Sequence, residues 1–434
     1  MSLPFSICRA TLAALIFATV SPSWAADLLT LDEAQRVALL RSRQLVADSA
    51  LASAAREQAV AAGQLPDPVL KFGVNNLPIN GADRFSLTRD FMTMRSVGVM
   101  QEITRADKRK TRAGRFEREA EAAEAGRAVT LTNLRRDTAL AWLDRYYQER
   151  MGDVLLAQRV EASLQIEAAD AAYRGGRGAQ ADLFAARSAV AQIDDRIRKN
   201  ESQVAMSMTR LARWVGDGAS QRLGEPPDTA VVRLNAGSLE TGLEHHPQLA
   251  FMARQEAVAR AEVELAQSNK RADWSVELMF SQRGPAYSNM ASLNVSIPLQ
   301  WDQKNRQDRD VAAKLALAEQ IHAQREEASR EHVAQARAWL LEWQGNRGRL
   351  ANFDNALIPL AAERTRAALA SYRGGGGPLS TVLEARRMEI DVRMDRLRLE
   401  MEIAGLWAQL NYLIPAEHDV TALDRSPADT EKSP

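Results

Sequence analysis

The chain of 434 residues has a single cysteine, Cys8, so no intramolecular disulfide and no cysteine-based zinc site can form. Aromatic residues are only 6%, and 23 glycines and 15 prolines are too few for a collagen-like or low-complexity chain. Neither sign of charge dominates, since 56 basic side chains are matched by 56 acidic ones. That balance removes the electrostatic footprint of a nucleic-acid binder. Beyond the first 25 positions there is no run of 18 apolar residues, which excludes a transmembrane helix in the rest of the chain. Ser-His-Asp, Cys-His and HExxH constellations are absent as well, so no catalytic residue and no cofactor are expected.

What is present begins with an export signal. Arg9 precedes an apolar run from Ala10 to Val20, and Ser23-Trp24-Ala25 sets small residues at the −3 and −1 positions. This is the pattern of a secretory signal peptide at 1–25, cleaved after Ala25. Cys8 leaves with it, and the new N-terminus carries no cysteine for a lipid anchor.

Three echoes mark an internal duplication. Tyr173-Arg174-Gly175-Gly176-Arg177-Gly178 returns 199 residues later as Tyr372-Arg373-Gly374-Gly375-Gly376-Gly377, and each copy runs on to an Ala-Arg pair, Ala186-Arg187 and Ala385-Arg386. Ala38-Leu39 and Gln44-Leu45 are answered by Gly242-Leu243 and Gln248-Leu249, and the segment around Leu70 by that around Val276. Echoes in a fixed order indicate a repeat. The first copy spans 26–233, the second 234–415, and a flexible tail follows at 416–434.

Each half is predicted to hold a helix, two strands, a very long helix, a Gly-rich turn and a return helix. The strands fall near 69–76 and 95–101, then near 275–281 and 291–299. The long helices are 104–173 and 303–372, the return helices 179–215 and 379–413. No proline interrupts 104–173, where Leu140, Leu143, Tyr147, Met151 and Val154 draw one apolar helical stripe. In the second half Pro359 is expected to kink the rod. Some 70 residues at about 1.5 Å each make a rod of about 105 Å. Such a rod needs partners along its length, and alanines on the stripes let them approach closely.

The strands alternate. Leu70, Phe72 and Val74 are interleaved with Lys71, Gly73 and Asn75, and Val276, Leu278 and Phe280 with Ser275, Glu277 and Met279. One apolar and one polar face fits a membrane barrel as well as a half-buried soluble sheet. Export and the length of the rods favour the membrane. Four strands cannot close a barrel, and open edges cannot sit in hydrocarbon, so several copies would have to pool their strands. A periplasmic coiled-coil scaffold outside the membrane is the alternative. It accounts for rods and signal but not for amphipathic strands in both halves.

Over nearly all of 28–415 the chain resembles the TolC-like outer-membrane efflux factors. The duplicated layout carries the resemblance, with the tip turns Tyr173 to Leu183 and Tyr372 to Leu383 and the repeat starts near Leu31 and Leu239. It implies a fold that is mainly α with a small membrane β part. Long coiled-coil helices would form a periplasmic α-barrel, and four strands per chain a trimeric twelve-stranded β-barrel. It further implies a homotrimer in outer-membrane lipid, extending into the periplasm. Such a duct passively conducts what a periplasmic adaptor (membrane fusion) protein and an inner-membrane RND pump deliver. A narrower likeness runs from Pro66-Asp67-Pro68 through Asn76-Leu77-Pro78 and the segment from Phe85 to Arg95 to Val99-Met100-Gln101-Glu102. It resembles the heavy-metal branch and implies metal cations as cargo, with drugs or other organic substrates as the alternative.

The Gly-rich turns are not phosphate loops, because no strand precedes them and no Gly-Lys-Ser/Thr ends them. Glycine there permits left-handed backbone. The resemblance implies adaptor docking at Tyr173, Arg174, Gly175 and Gly176 and at Tyr372, Arg373, Gly374 and Gly375. It places an acidic periplasmic gate at Glu384, with Asp182 in a comparable place after the first tip; three such carboxylates ringing an entrance favour cations. Thr381 and Gly377 depart from the family pattern, being acidic and basic in some relatives, so the links that close the gate are expected to differ. Met92 and Met94, with Met100 nearby, read as apolar filling of a membrane strand rather than as soft-metal ligands. His245-His246 reads as a solvated helix start before Pro247. No metal site and no nucleic-acid partner are expected.

Overall fold

The computed structural model describes residues 28–233 and 246–414. The signal at 1–25, Leu239, Gly242-Leu243, His245 and the tail at 416–434 lie outside the described residues. In the first half α1 (Leu31–Arg41) and α2 (Arg43–Ala62) lead to β1 (Val69–Asn75) and β2 (Met94–Ile103). Then come α3 (Ala106–Arg174) and α4 (Gln180–Val215), closed by a 3₁₀ turn at Gly216–Ser220. The second half has α5 (Pro247–Ser268), β3 (Trp274–Gln282), β4 (Met290–Ser296), α6 (Gln307–Asn352), α7 (Ile358–Arg373) and α8 (Leu379–Asn411).

Local chemistry sets many of these boundaries. Thr30 accepts the Glu33 N–H at 3.2 Å and Ser42 the Leu45 N–H at 3.3 Å, each capping the helix that follows. The first long helix, α3, runs unbroken for 69 residues, about 104 Å. Its counterpart is split by a π-helical turn at Phe353–Leu357, just before Pro359. Pro359 has no N–H to return to the carbonyl four residues back, so the ladder is disrupted there. Strand β4 ends at Ser296, short of the expected 299, because Pro298 cannot donate to a ladder.

All four strands form one antiparallel sheet in the order β1-β2-β3-β4. Beneath it α3 packs against α2, α5, α4 and α8 along its length, and α6 packs against α5 and α8. Packing changes along the rods. Close to the sheet the buried positions are mostly small, such as Ala55, Ala59, Ala120, Ala259 and Ala266. Midway a core of Trp142, Leu143, Leu211, Leu340, Trp343, Ile403 and Trp407 forms, where full burial of a side chain such as Leu211 stabilises by roughly 2 kcal/mol. Toward the far end lie a cluster around Leu155, Ile193 and Ile390 and another around Leu183, Leu379 and Val382.

At the middle core the chain is belted. Leu29 bridges to Leu223, and the Trp142 indole donates to the Leu29 carbonyl at 2.9 Å. Trp343 donates to Thr229 at 3.2 Å and Trp407 to Val231 at 3.0 Å. The buried Arg145 donates to the carbonyls of Ala219 and Gln221 and pairs with Glu149. Each polar head thus ties backbone of the connecting segments at 219–231 and Leu29 to the helices.

His246 is buried here rather than solvated, with its ring 4.5 Å from that of His332. Its Nδ1 accepts the Gln248 N–H at 3.2 Å and so caps α5. Burial, with His332 and Arg136 adding repulsion, pushes its pKa down to about 4. Among the described residues no group of three or more His, Cys, Asp or Glu could hold a metal.

Candidate functional site: an amphipathic sheet and two helical tips

Register separates the sheet into two faces. Leu70 pairs with Val99, Val99 with Leu278, and Leu278 with Leu293; Phe72, Val97, Phe280 and Ala291 form the next row. These side chains, with Val74 and Val295, make a continuous apolar face. It is open to the outside, with Phe72 76%, Leu278 62% and Leu293 68% exposed. Trp274 and Trp301 border it on the helix side, whereas Phe85, Phe91 and Tyr287 are exposed in the loops at the other end. An apolar band with aromatic residues at both margins is the pattern that the outer surface of a membrane barrel wall requires.

The opposite face is polar and more enclosed. Ser96 and Ser281 are buried on it, and Lys71 pairs with Glu277 at 3.1 Å, reaching across Gly98. Gly98 is required: a Cβ there would sit 2.8 Å from the Leu278 carbonyl oxygen. Met94 and Met100 belong to this polar face and so are not filling toward lipid. Where the sheet meets the rods, Asp273 binds the Lys108 ammonium at 2.6 Å and the Arg105 N–H at 3.2 Å, tying the two halves together. Nothing in the sequence signals that pair, which spans 165 residues.

At the far end two turns share the same backbone bonding. Tip one places Tyr173, Arg174, Gly175 and Gly176 in a turn where the Gly176 N–H meets the Tyr173 carbonyl at 3.0 Å and the Arg177 N–H the Ala172 carbonyl at 2.9 Å. Tip two repeats both bonds, Gly375 to Tyr372 and Gly376 to Ser371, at 3.0 and 2.9 Å. Gly176 and Gly375 have φ of 71° and 77°, the left-handed position of a Schellman closure, which glycine adopts without penalty. Arg174 and Arg373 are exposed, as is Tyr173, while Tyr372 leans into the tip core.

The two acidic candidates are not equivalent. Asp182 is the third residue of α4, and its carboxylate accepts the Ala179 N–H at 3.3 Å, so it caps the helix. By the repeat spacing it matches Thr381. Glu384 is exposed, sits a turn further in, and has no ion-pair partner among the described residues. It lines a groove of about 330 Å³ between α3, α4 and α8, beside Ala162, Ala189, Leu383, Arg386 and Arg387. Arg386 is engaged by Glu161, and Arg196 by Asp391 at 2.6 Å. Periodicity did not single out Leu156, Val160 and Leu164, which are four residues apart on α3 and 52%, 64% and 56% exposed. These three side chains make an exposed apolar stripe on α3.

No protein-family profile and no curated relative match the sequence. Solved structures do match in shape over nearly the whole chain. The outer-membrane channel OprN superposes with a TM-score of 0.74 at 16% identity, covering 94% of this chain and 98% of its own. The outer membrane protein VceC from Vibrio cholerae gives 0.73 at 16%, covering 88% and 95%. CusC, described as forming a transmembrane channel, gives 0.70 at 14%, covering 89% and 92%. The chain therefore has the fold of outer-membrane channel proteins, with long helices below and a four-stranded share of a barrel above.

Proposed function

We propose that the protein is the outer-membrane exit duct of a tripartite efflux system and that it passively conducts heavy-metal cations out of the cell envelope. The observation that carries this reading is the sheet: one face is apolar, the other polar, and its two edges, β1 and β4, are left unpaired among the described residues. Edges of that kind are stable in lipid only if β4 of one copy pairs with β1 of the next. A homotrimer with twelve strands satisfies this and is of ordinary barrel size. The exposed stripe at Leu156, Val160 and Leu164 supports helix packing between copies.

In the assembled duct the tips would face the periplasm. Tyr173, Arg174, Gly175 and Gly176, with Tyr372, Arg373, Gly374 and Gly375, would receive a periplasmic adaptor that links the duct to an inner-membrane RND pump. Glu384, exposed and unpaired, is the better gate residue; Asp182 is occupied as a cap. Neither a cofactor nor a catalytic step is needed, because the pump supplies the energy. Opening would be a rearrangement of helix ends favoured by adaptor contact.

Metal cargo rests on the sequence likeness between Pro66 and Glu102. A strain lacking the gene tests it on copper, silver, zinc, cadmium and cobalt salts beside hydrophobic antibiotics and bile salts. Sensitivity to metals alone, restored by the gene, is expected. Sensitivity to the organic compounds with unchanged metal tolerance would replace metal cations with organic cargo.

A further inference from the structure

Every methionine within the four strands lies on the polar face. Met94, Met100, Met279 and Met290 share it with Lys71, Ser96, Gly98, Glu277 and Ser281. The other face, where an unbranched hydrophobe would serve as filling, carries Leu, Val, Phe and Ala across its middle and Arg95, Gln101, Gln282, Ile103 and Trp274 toward its ends, and has no methionine among the paired residues.

The register also gives their order. Met290 lies in the row of Ser281 and Ser96, Met279 in the row of Gly98 and Lys71, and Met100 in the row of Glu277. Met94 begins the row above, opposite Asn75. Four successive rows therefore carry one thioether each, and rows two residues apart are about 6.6 Å apart along a strand. Met100, Met279 and Met290 are moreover diagonal neighbours across β2, β3 and β4, roughly 7–8 Å apart between Cα atoms and within reach of long side chains. Their neighbours are short: Gly98 and Ser292 flank Met279, and Ser281 pairs with Met290. The long side chains nearby are Lys71, in the row of Met279, and Glu277, opposite Met100, which pair with each other.

We infer that Met94, Met290, Met279 and Met100 form a thioether track for soft monovalent cations, Cu(I) or Ag(I), along the inner wall of the barrel. This inference rests on the reading of the sheet as a barrel wall. Thioether sulfur is neutral and soft, so it selects Cu(I) and Ag(I) over Zn(II) or Co(II) and releases them without a proton. Single weak sites in successive rows suit passage rather than storage, because an ion must leave as readily as it enters. The Lys71 ammonium opposes a cation near Met279, but Glu277 holds it at 3.1 Å and leaves that pair without net charge.

The test is a titration of Ag(I), in chloride-free nitrate buffer, into the purified full-length protein in detergent. Zn(II) is titrated in parallel. Wild type is expected to bind Ag(I) and not Zn(II). Combined Met100→Leu, Met279→Leu and Met290→Leu substitution is expected to weaken Ag(I) binding at least tenfold while trimer on unheated gels is retained. Met279→Leu alone, a milder change, should weaken it severalfold. Met206→Leu with Met388→Leu, at exposed helix positions, should leave it unchanged. Absence of Ag(I) binding by wild type, or undiminished binding by the triple variant, would overturn the track. The duct reading fails separately, if wild type inserted in a bilayer passes no potassium current.

Discussion

His246 caps α5 through Nδ1, and that role requires a neutral ring because a protonated nitrogen cannot accept. The unfolded chain protonates this imidazole near pH 6.5, the folded one near 4. Between these values the unfolded state binds more protons, so this residue's contribution to stability is present above pH 6.5. It is lost as the pH falls toward 4, in all about 3 kcal/mol. Asparagine is as good a cap and does not titrate. Melting of wild type and His246→Asn at pH 7 and 4.5 should therefore show a smaller acid loss in the variant; equal losses would contradict this role. The burial of His246 was not legible in the sequence, because its partner His332 is 86 residues away. The same holds for the methionines. Their alternation with apolar residues was visible, yet only the pairing with β3 and β4 assigns them all to one face. Glycines were easier to interpret. The paired Tyr-Arg-Gly-Gly runs announced two reversals, and both reversals use the second glycine at positive φ.

At the scale of the element, hydrophobic periodicity and proline located most of what was found. Period two marked the strands, freedom from proline marked α3, and Pro359 marked the break between α6 and α7. Pro298 also carried the information that β4 stops early, although the alternation of Ile297 and Leu299 argued against it. What the strands could not reveal was their order, since adjacency of β2 and β3 brings together segments some 180 residues apart. That order has a consequence for assembly. Leu278 occupies the middle of the apolar face and Asn294 the polar one, opposite Glu277. An arginine toward lipid at mid-depth costs about 2–4 kcal/mol, whereas one toward the interior is tolerated. Leu278→Arg should prevent the proposed trimer from appearing on unheated gels, and Asn294→Arg should preserve it. Equal behaviour of the two variants would remove the distinction between the faces.

Taken whole, the molecule joins three structures of different character. The sheet suits lipid, the belted middle core fixes the halves through tryptophan and arginine heads, and the alternating rods carry two matching tips. Among the described residues one copy leaves two sheet edges open and the stripe at Leu156, Val160 and Leu164 uncovered, which is the basis for proposing an assembly as the working unit. Glu384, the proposed gate residue, belongs to this scale too, because one carboxylate in a groove does little, whereas three around the axis of the proposed trimer would form a ring. The most direct measurement is single-channel recording of the purified full-length protein in planar lipid bilayers, with Glu384→Ala beside it. Discrete, long-lived steps of conductance are expected from wild type, with altered cation preference or step size in the variant. Identical currents would remove Glu384 from the gate. Trimeric protein that inserts and yields no steps at all would contradict the duct itself.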